Sequence, residues 1–117
     1  MTTADGADEQ GEVEVTIVTM VFDARSSDEA AADQLLAVLS KYVVLSRNHP
    51  GCRNIDLCGS VTVPGRYLIV EKWASPERQR AHFDSDHMVE MARACERLLE
   101  KRPDIDLFEG ISAHDLR

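Results

Sequence analysis

Five side chains with chemical capability fall close together in the chain: Glu71, Trp73, His82, Phe83 and Ser85. They straddle the junction between a strand-like run, YLIVEKW from Tyr67 to Trp73, and the helical segment that follows it. An unperturbed imidazole titrates near pH ~6.5, so His82 can take up and return a proton at neutral pH. It can also simply bond a backbone carbonyl. Glu71 has the same parity as Trp73 in the strand, so both can face the same side of a sheet. A buried carboxylate must be paired or protonated, which makes Glu71 a candidate to orient His82, or else the partner of a helix arginine. Trp73 offers a flat ring and one N–H donor, and equally suits the filling of a core.

Other chemistries lack their residues. There is no GxGxxG, Walker loop, GxSxG or HExxH. His82 and His87 are separated by a helix start and do not form an i, i+4 metal pair, and capping accounts for Asp84 and Asp86. No metal site is expected. Cys52 and Cys58 lie in extended chain, which holds them roughly 20 Å apart, whereas a disulfide needs about 4.4–6.8 Å between Cα atoms. Cys95 falls on an apolar helix stripe, where a thiol packs as a small hydrophobe. The three thiols read as reduced and structural.

The elements that must position these residues follow from the hydrophobic pattern. Val13 to Phe22 is a β-branched run, apolar on both faces toward its end. Ser26 to Glu29 has the pattern of a capping box and opens a helix expected from about Asp28 to Arg47, with Leu35, Leu39, Tyr42 and Val43 on its stripe. His49-Pro50-Gly51 ends it. A second strand runs from Arg53 to Ser60, a Val63-Pro64-Gly65 turn follows, and then comes the strand that carries Glu71 and Trp73. Ser75-Pro76 starts a short helix to about Phe83. Ser85 starts a longer one expected to reach Lys101, with Met88, Met91 and Cys95 on its stripe, and Asp104 to Ala113 alternates as a last strand.

The order β-α-β-β-α-α-β suits an α+β, ferredoxin-like split βαβ, with helices on one face of an antiparallel sheet. Helices cover one side only, and strands apolar on both faces would leave a large patch in water. A second copy, sheet against sheet, is the simplest cover, so a homodimer through the open face is expected.

The chain has 117 residues, 13 basic and 21 acidic, for a net charge of −8. Five of the acids lie in the first fourteen residues, which contain no Lys or Arg. Residues 1–12 read as a flexible acidic leader and 13–117 as one domain. The mildly acidic remainder is a poor partner for nucleic acid. No apolar run is long enough for a membrane span and the N-terminus lacks a signal pattern, so a cytoplasmic protein without membrane partners is expected.

Arg47-Asn48-His49-Pro50-Gly51-Cys52, then Tyr67 through Glu71-Lys72-Trp73, then His82-Phe83-Asp84-Ser85 with Met88 one turn on, resemble the antibiotic biosynthesis monooxygenase domain family. The resemblance runs from about Val15 to the last strand. It implies a dimeric α+β barrel with a cavity in each subunit between sheet and helices. It also implies oxidation of an aromatic phenol, anthrone or quinol by molecular oxygen without a cofactor, the substrate anion itself reducing oxygen. Carried onto these positions, Trp73 would hold the ring, while His82 and Glu71 would manage the proton. Asn48, Tyr67, Phe83 and Met88 would contact substrate. The family's better-understood quinone-forming members carry an asparagine close before the tryptophan, where this chain has Glu71-Lys72. Two other outcomes follow from the same resemblance. One is a non-catalytic protein binding a small apolar ligand. The other is a haem-binding relative, for which His87 is the rough counterpart of the axial ligand.

Overall fold

The computed structural model describes residues 15–113. The expected leader and the last four residues lie outside them. Four strands form one antiparallel sheet: β1 (Thr16–Asp23), β2 (Cys52–Gly59), β3 (Arg66–Trp73) and β4 (Asp104–Glu109), in the spatial order β2-β3-β1-β4. Three helices, α1 (Ala31–Ser46), α2 (Pro76–Phe83) and α3 (Asp86–Cys95), lie on one face. This is the expected α+β, ferredoxin-like arrangement.

Pairing sorts the strand residues into two layers. Val18 lies opposite Glu71 and Leu107, and Met20 opposite Ile69 and Ile105. Ile55 pairs with Glu71 across the other edge of β3. That layer faces the helices, and Val18, Met20, Phe22, Ile55, Ile69 and Trp73 are buried against Leu35, Leu39, Tyr42 and Val43 of α1. The opposite layer contains Ile17, Thr19, Val21, Leu68, Val70 and Phe108, and no described element covers it. Asp23 and Arg66 close one end of this open face with a two-pronged ion pair at 2.7 and 3.0 Å. The guanidinium holds the Asp23 carboxyl below its usual range.

Local chemistry moves several boundaries. Helix α1 begins at Ala31 with no side-chain cap, because Ser26 turns away and donates from both N and Oγ to Glu100. Asp28 instead accepts from the Ala30 N–H, so the expected capping box does not form. The two later caps do form: Ser75 accepts from Arg78 N–H and Ser85 from Met88 N–H. Ser85 is thereby a structural cap. The helix expected to reach Lys101 stops at Cys95 and tightens into a 3-10 turn, Glu96–Leu98, and β4 ends at Glu109 rather than Ala113. Among the described residues no helix is long and apolar enough to cross a membrane.

The turn between α1 and β2 fixes His49. Cys52 N–H donates to His49 O and Ala74 N–H to Gly51 O, which ties the turn to the end of β3. Gly51 has φ +86°, and a Cβ there would sit 2.5 Å from Cβ and Cγ of Arg78. Gly51→Ala is expected to cost about 1–3 kcal/mol from strained backbone and the clash. Equilibrium denaturation measures it, and a loss under about half a kilocalorie would show that the turn relaxes freely.

Candidate functional site

Alternation along β3 puts Ile69, Glu71 and Trp73 on the helix side. The stripe of α1 brings Tyr42 over Glu71, and the last turn of α2 brings His82 beside both. Tyr42 Oη donates to Glu71 Oε2 at 2.7 Å and lies 2.8 Å from His82 Nε2. Trp73 Nε1 donates to Glu71 Oε1 at 2.9 Å. The His82 ring stacks on Trp73 with centroids 4.6 Å apart, and His49 packs edge-on against His82 at 4.8 Å. All four members of the hydrogen-bonded cluster are sealed: Glu71 and His82 are 2% exposed, Tyr42 3% and Trp73 0%.

The bonding fixes the protons. Glu71 receives one donor on each oxygen, Tyr42 on Oε2 and Trp73 on Oε1. Burial pushes its pKa up, and the two donated bonds pull partly back. With its hydrogen directed to Glu71, the Tyr42 oxygen can only accept, so His82 carries its hydrogen on Nε2 and leaves Nδ1 bare. That nitrogen, Nδ1 of His49 and Oγ of Ser46 are buried without a hydrogen-bond partner. Burial, the same carboxylate and its hydrogen bond drive the Tyr42 phenol far up. His82 is pushed down to about 4, by burial first and then by His49 and His87. The cluster therefore holds a neutral imidazole throughout the neutral range.

A cavity lies elsewhere along the same interface. It has a volume of about 550 Å³, between α3 and the β1–β4 side of the sheet, and its walls include Met20, Phe22, Phe83, Met88, Met91 and Cys95. Burial pushes the Cys95 thiol up to about 11, so it remains a neutral, soft wall in contact with the Met91 sulfur at 3.6 Å. Glu96, Lys101 and Arg102 supply charge to the lining. A smaller cleft of about 160 Å³ between α1 and α3 is lined by Tyr42, His87 and Met91 among others. Met91 is common to both walls, and Tyr42 is the member of the sealed cluster that reaches the cleft.

The residues singled out by sequence thus divide. Glu71, Trp73 and His82 come together but line neither space. Phe83 and Met88 line the large cavity. Asn48 is exposed in the turn after α1, and Tyr67 donates its hydroxyl to Ala32 O at 3.3 Å, so neither borders these two spaces. His87 borders the small cleft only, and among the described residues no histidine lines the large cavity and no group of three or more ligand-type side chains could hold a metal. Sequence reading missed the role of Tyr42, which it placed on a core stripe. A hydroxyl on such a stripe needs a partner, and Glu71, a lone carboxylate on the facing strand, was the available one.

Comparison with known proteins adds the family. The model of the antibiotic biosynthesis monooxygenase family matches residues 17–94. Rv0793 from Mycobacterium tuberculosis is 22% identical over 85% of this chain and 97% of its own, with a TM-score of 0.77. PA3566 from Pseudomonas aeruginosa is 22% identical over 86% and 97%, with a TM-score of 0.72. A structure described as an antibiotic biosynthesis monooxygenase is 18% identical over 82% and 98%, with a TM-score of 0.73. At these identities the likeness establishes the fold. No curated protein matches the chain.

The stack gives a direct readout of His82, because Trp73 is the single tryptophan. An imidazolium on its face would quench the indole, so fluorescence is expected to fall with a midpoint near pH 4 rather than 6.5. The unfolded chain binds this proton first as pH drops below ~6.5, so acidification removes stability, by roughly 3 kcal/mol once pH ~4 is passed. Glu71, shifted the other way, offsets part of that loss. A fluorescence midpoint at about 6.5 would mean that His82 is solvated.

Proposed function

We propose that this chain, which belongs to the antibiotic biosynthesis monooxygenase family, is a monooxygenase that oxidises an aromatic phenol-, anthrone- or quinol-type molecule with molecular oxygen and without a bound cofactor. The observation that carries the reading is the apolar cavity whose wall meets, across Met91, the cleft lined by Tyr42 of the buried Glu71–Tyr42–His82 network. The cavity suits a flat ring in size and lining, and thioethers adapt to aromatic edges.

For an anthrone-like substrate, a ring methylene and one dioxygen molecule become a ketone carbonyl and one water. Loss of a proton from the methylene gives a carbanion, and its electrons reduce dioxygen to a carbon-bound hydroperoxide. Loss of the second C–H proton, with departure of hydroxide, then leaves the ketone and water. Substrate supplies all the electrons, so no external reductant enters. The protein binds the ring and excludes water, and Tyr42, on the cleft that shares Met91 with the cavity, takes up and returns the proton by passing its own hydrogen to and from Glu71, with His82 beside it. Trp73 holds Glu71 and stacks on His82, and in this account it positions rather than touches substrate. Haem would find no axial histidine on the large cavity among the described residues, which favours the cofactor-free reading over that alternative.

The test is oxygen uptake by metal-stripped protein against anthrones and naphthoquinols. Uptake above the spontaneous rate is expected, and Tyr42→Phe should lower it about 10²-fold while retaining ligand affinity. The same change leaves two buried groups without a partner and should cost about 1–3 kcal/mol of stability. No uptake with any substrate would replace the oxygenase reading with a ligand-binding one. Unchanged uptake in the variant would take the network out of the proton path.

A homodimer completes the proposal. Ile17, Val21, Leu68, Val70 and Phe108 leave an apolar sheet face that a second copy would cover. Sedimentation equilibrium should give a dimer, and Val70→Asp a folded monomer; a wild-type monomer at micromolar concentration would contradict it.

A further inference from the structure

Among the residues that line the large cavity, three are charged. Its inner wall is built from Met20, Phe22, Met88, Met91 and Cys95, and none of these offers a charged or strongly hydrogen-bonding group. A hydroxyl or carbonyl carried into that interior would lose its water and find no partner, which costs about 1–3 kcal/mol for each group. Charge enters at Glu96, which opens the 3-10 turn after α3, and at Lys101 and Arg102, which follow that turn. In a chain of net charge −8 this lining carries two cations in succession.

The two cations are not equivalent. Lys101 Nζ lies 3.4 Å from Asp104 Oδ2 and 4.0 Å from Asp23 Oδ2, so its charge is already answered. Arg102 has no ion pair among the described residues, and neither does Glu96. A guanidinium is a planar fork matched to a carboxylate. Next to an apolar cavity it has a low-dielectric neighbour and an open partner position.

We propose that the cavity selects a one-ended amphiphile: an aromatic body that fills the sulfur-lined interior and a single carboxylate, or equally acidic oxygen, held by Arg102. This rests on the reading of the same cavity as the substrate site and narrows its substrate class. Each further oxygen carried into the interior weakens binding, and neutral aromatics bind without the anchor. Glu96 repels the same anion weakly and sets the opposite sign for its own substitution.

Calorimetric titration with 2-naphthoate and with the neutral isostere 2-naphthylmethanol tests this on binding alone, independently of turnover. The wild-type protein is expected to bind the carboxylate at least about 10-fold more tightly, with a preference that shrinks as salt is raised. Arg102→Gln should remove the preference by weakening the carboxylate about 10-fold and leaving the alcohol unchanged, and Glu96→Gln should leave the carboxylate as tight or tighter. Equal wild-type affinity for the two probes overturns the anion anchor but leaves the cavity as a binding site. A preference that survives Arg102→Gln overturns the assignment of Arg102. Failure of both probes to bind overturns the anchor and the cavity reading together.

Discussion

A carboxylate buried to 2% exposure and held by two neutral donors is the constraint around which this fold is arranged. Glu71 sits at the centre of the helix-facing layer, between Val18 and Ile55 on the neighbouring strands. Its ionised form is tolerated only because Tyr42 and Trp73 each give it a hydrogen bond. Those donors come from α1 and from the residue two along the same strand, so the register of β3 and the rotation of α1 are fixed together. His82 then has a defined partner in the Tyr42 oxygen and a defined surface in the Trp73 ring. Four side chains from three elements thereby stand in one arrangement, and apolar packing alone would not have specified it as narrowly.

The arrangement also explains the division of labour along the helix–sheet interface. The end near β2 and β3 is polar, dry and closed. The end near β1 and β4 holds the apolar cavity, beside the point where α3 stops at Cys95 and the chain tightens into a 3-10 turn. Met91 lies between the two ends, on the wall of the cavity and on that of the cleft where Tyr42 appears. The proposed reaction draws on both ends, the cavity for the ring and the Tyr42 side of the network for the proton.

Much of the architecture was legible in the residues. Two-faced strands, the Pro-Gly turn at Val63–Gly65 and the caps at Ser75 and Ser85 act locally, so their signals survive in the sequence. The capping box at Ser26 failed because a distant acid, Glu100, captured the serine, a competition visible only after folding. The length of the last helix was overread because the apolar stripe continues through Leu98 while the backbone has already tightened. At the site, strand parity correctly placed Glu71 with Trp73. It could not show that both are sealed, since burial depends on what α1 lays over them. Asn48 and Tyr67 came to the site through the family resemblance, whereas the structure turns one to solvent and the other to the Ala32 carbonyl.

The claim on which the functional account turns is that an aromatic ligand occupies the sulfur-lined cavity beside the sealed network. Selective 13C labelling of the methionine methyl groups tests it most directly, with Met20, Met88 and Met91 as reporters on that wall. Titration with a non-reactive naphthalene derivative should shift all three methyl resonances together, with ring-current shifts that saturate at one affinity. Unmoved resonances for these three methyls, in protein that demonstrably binds the compound, would place the ligand elsewhere and contradict the account.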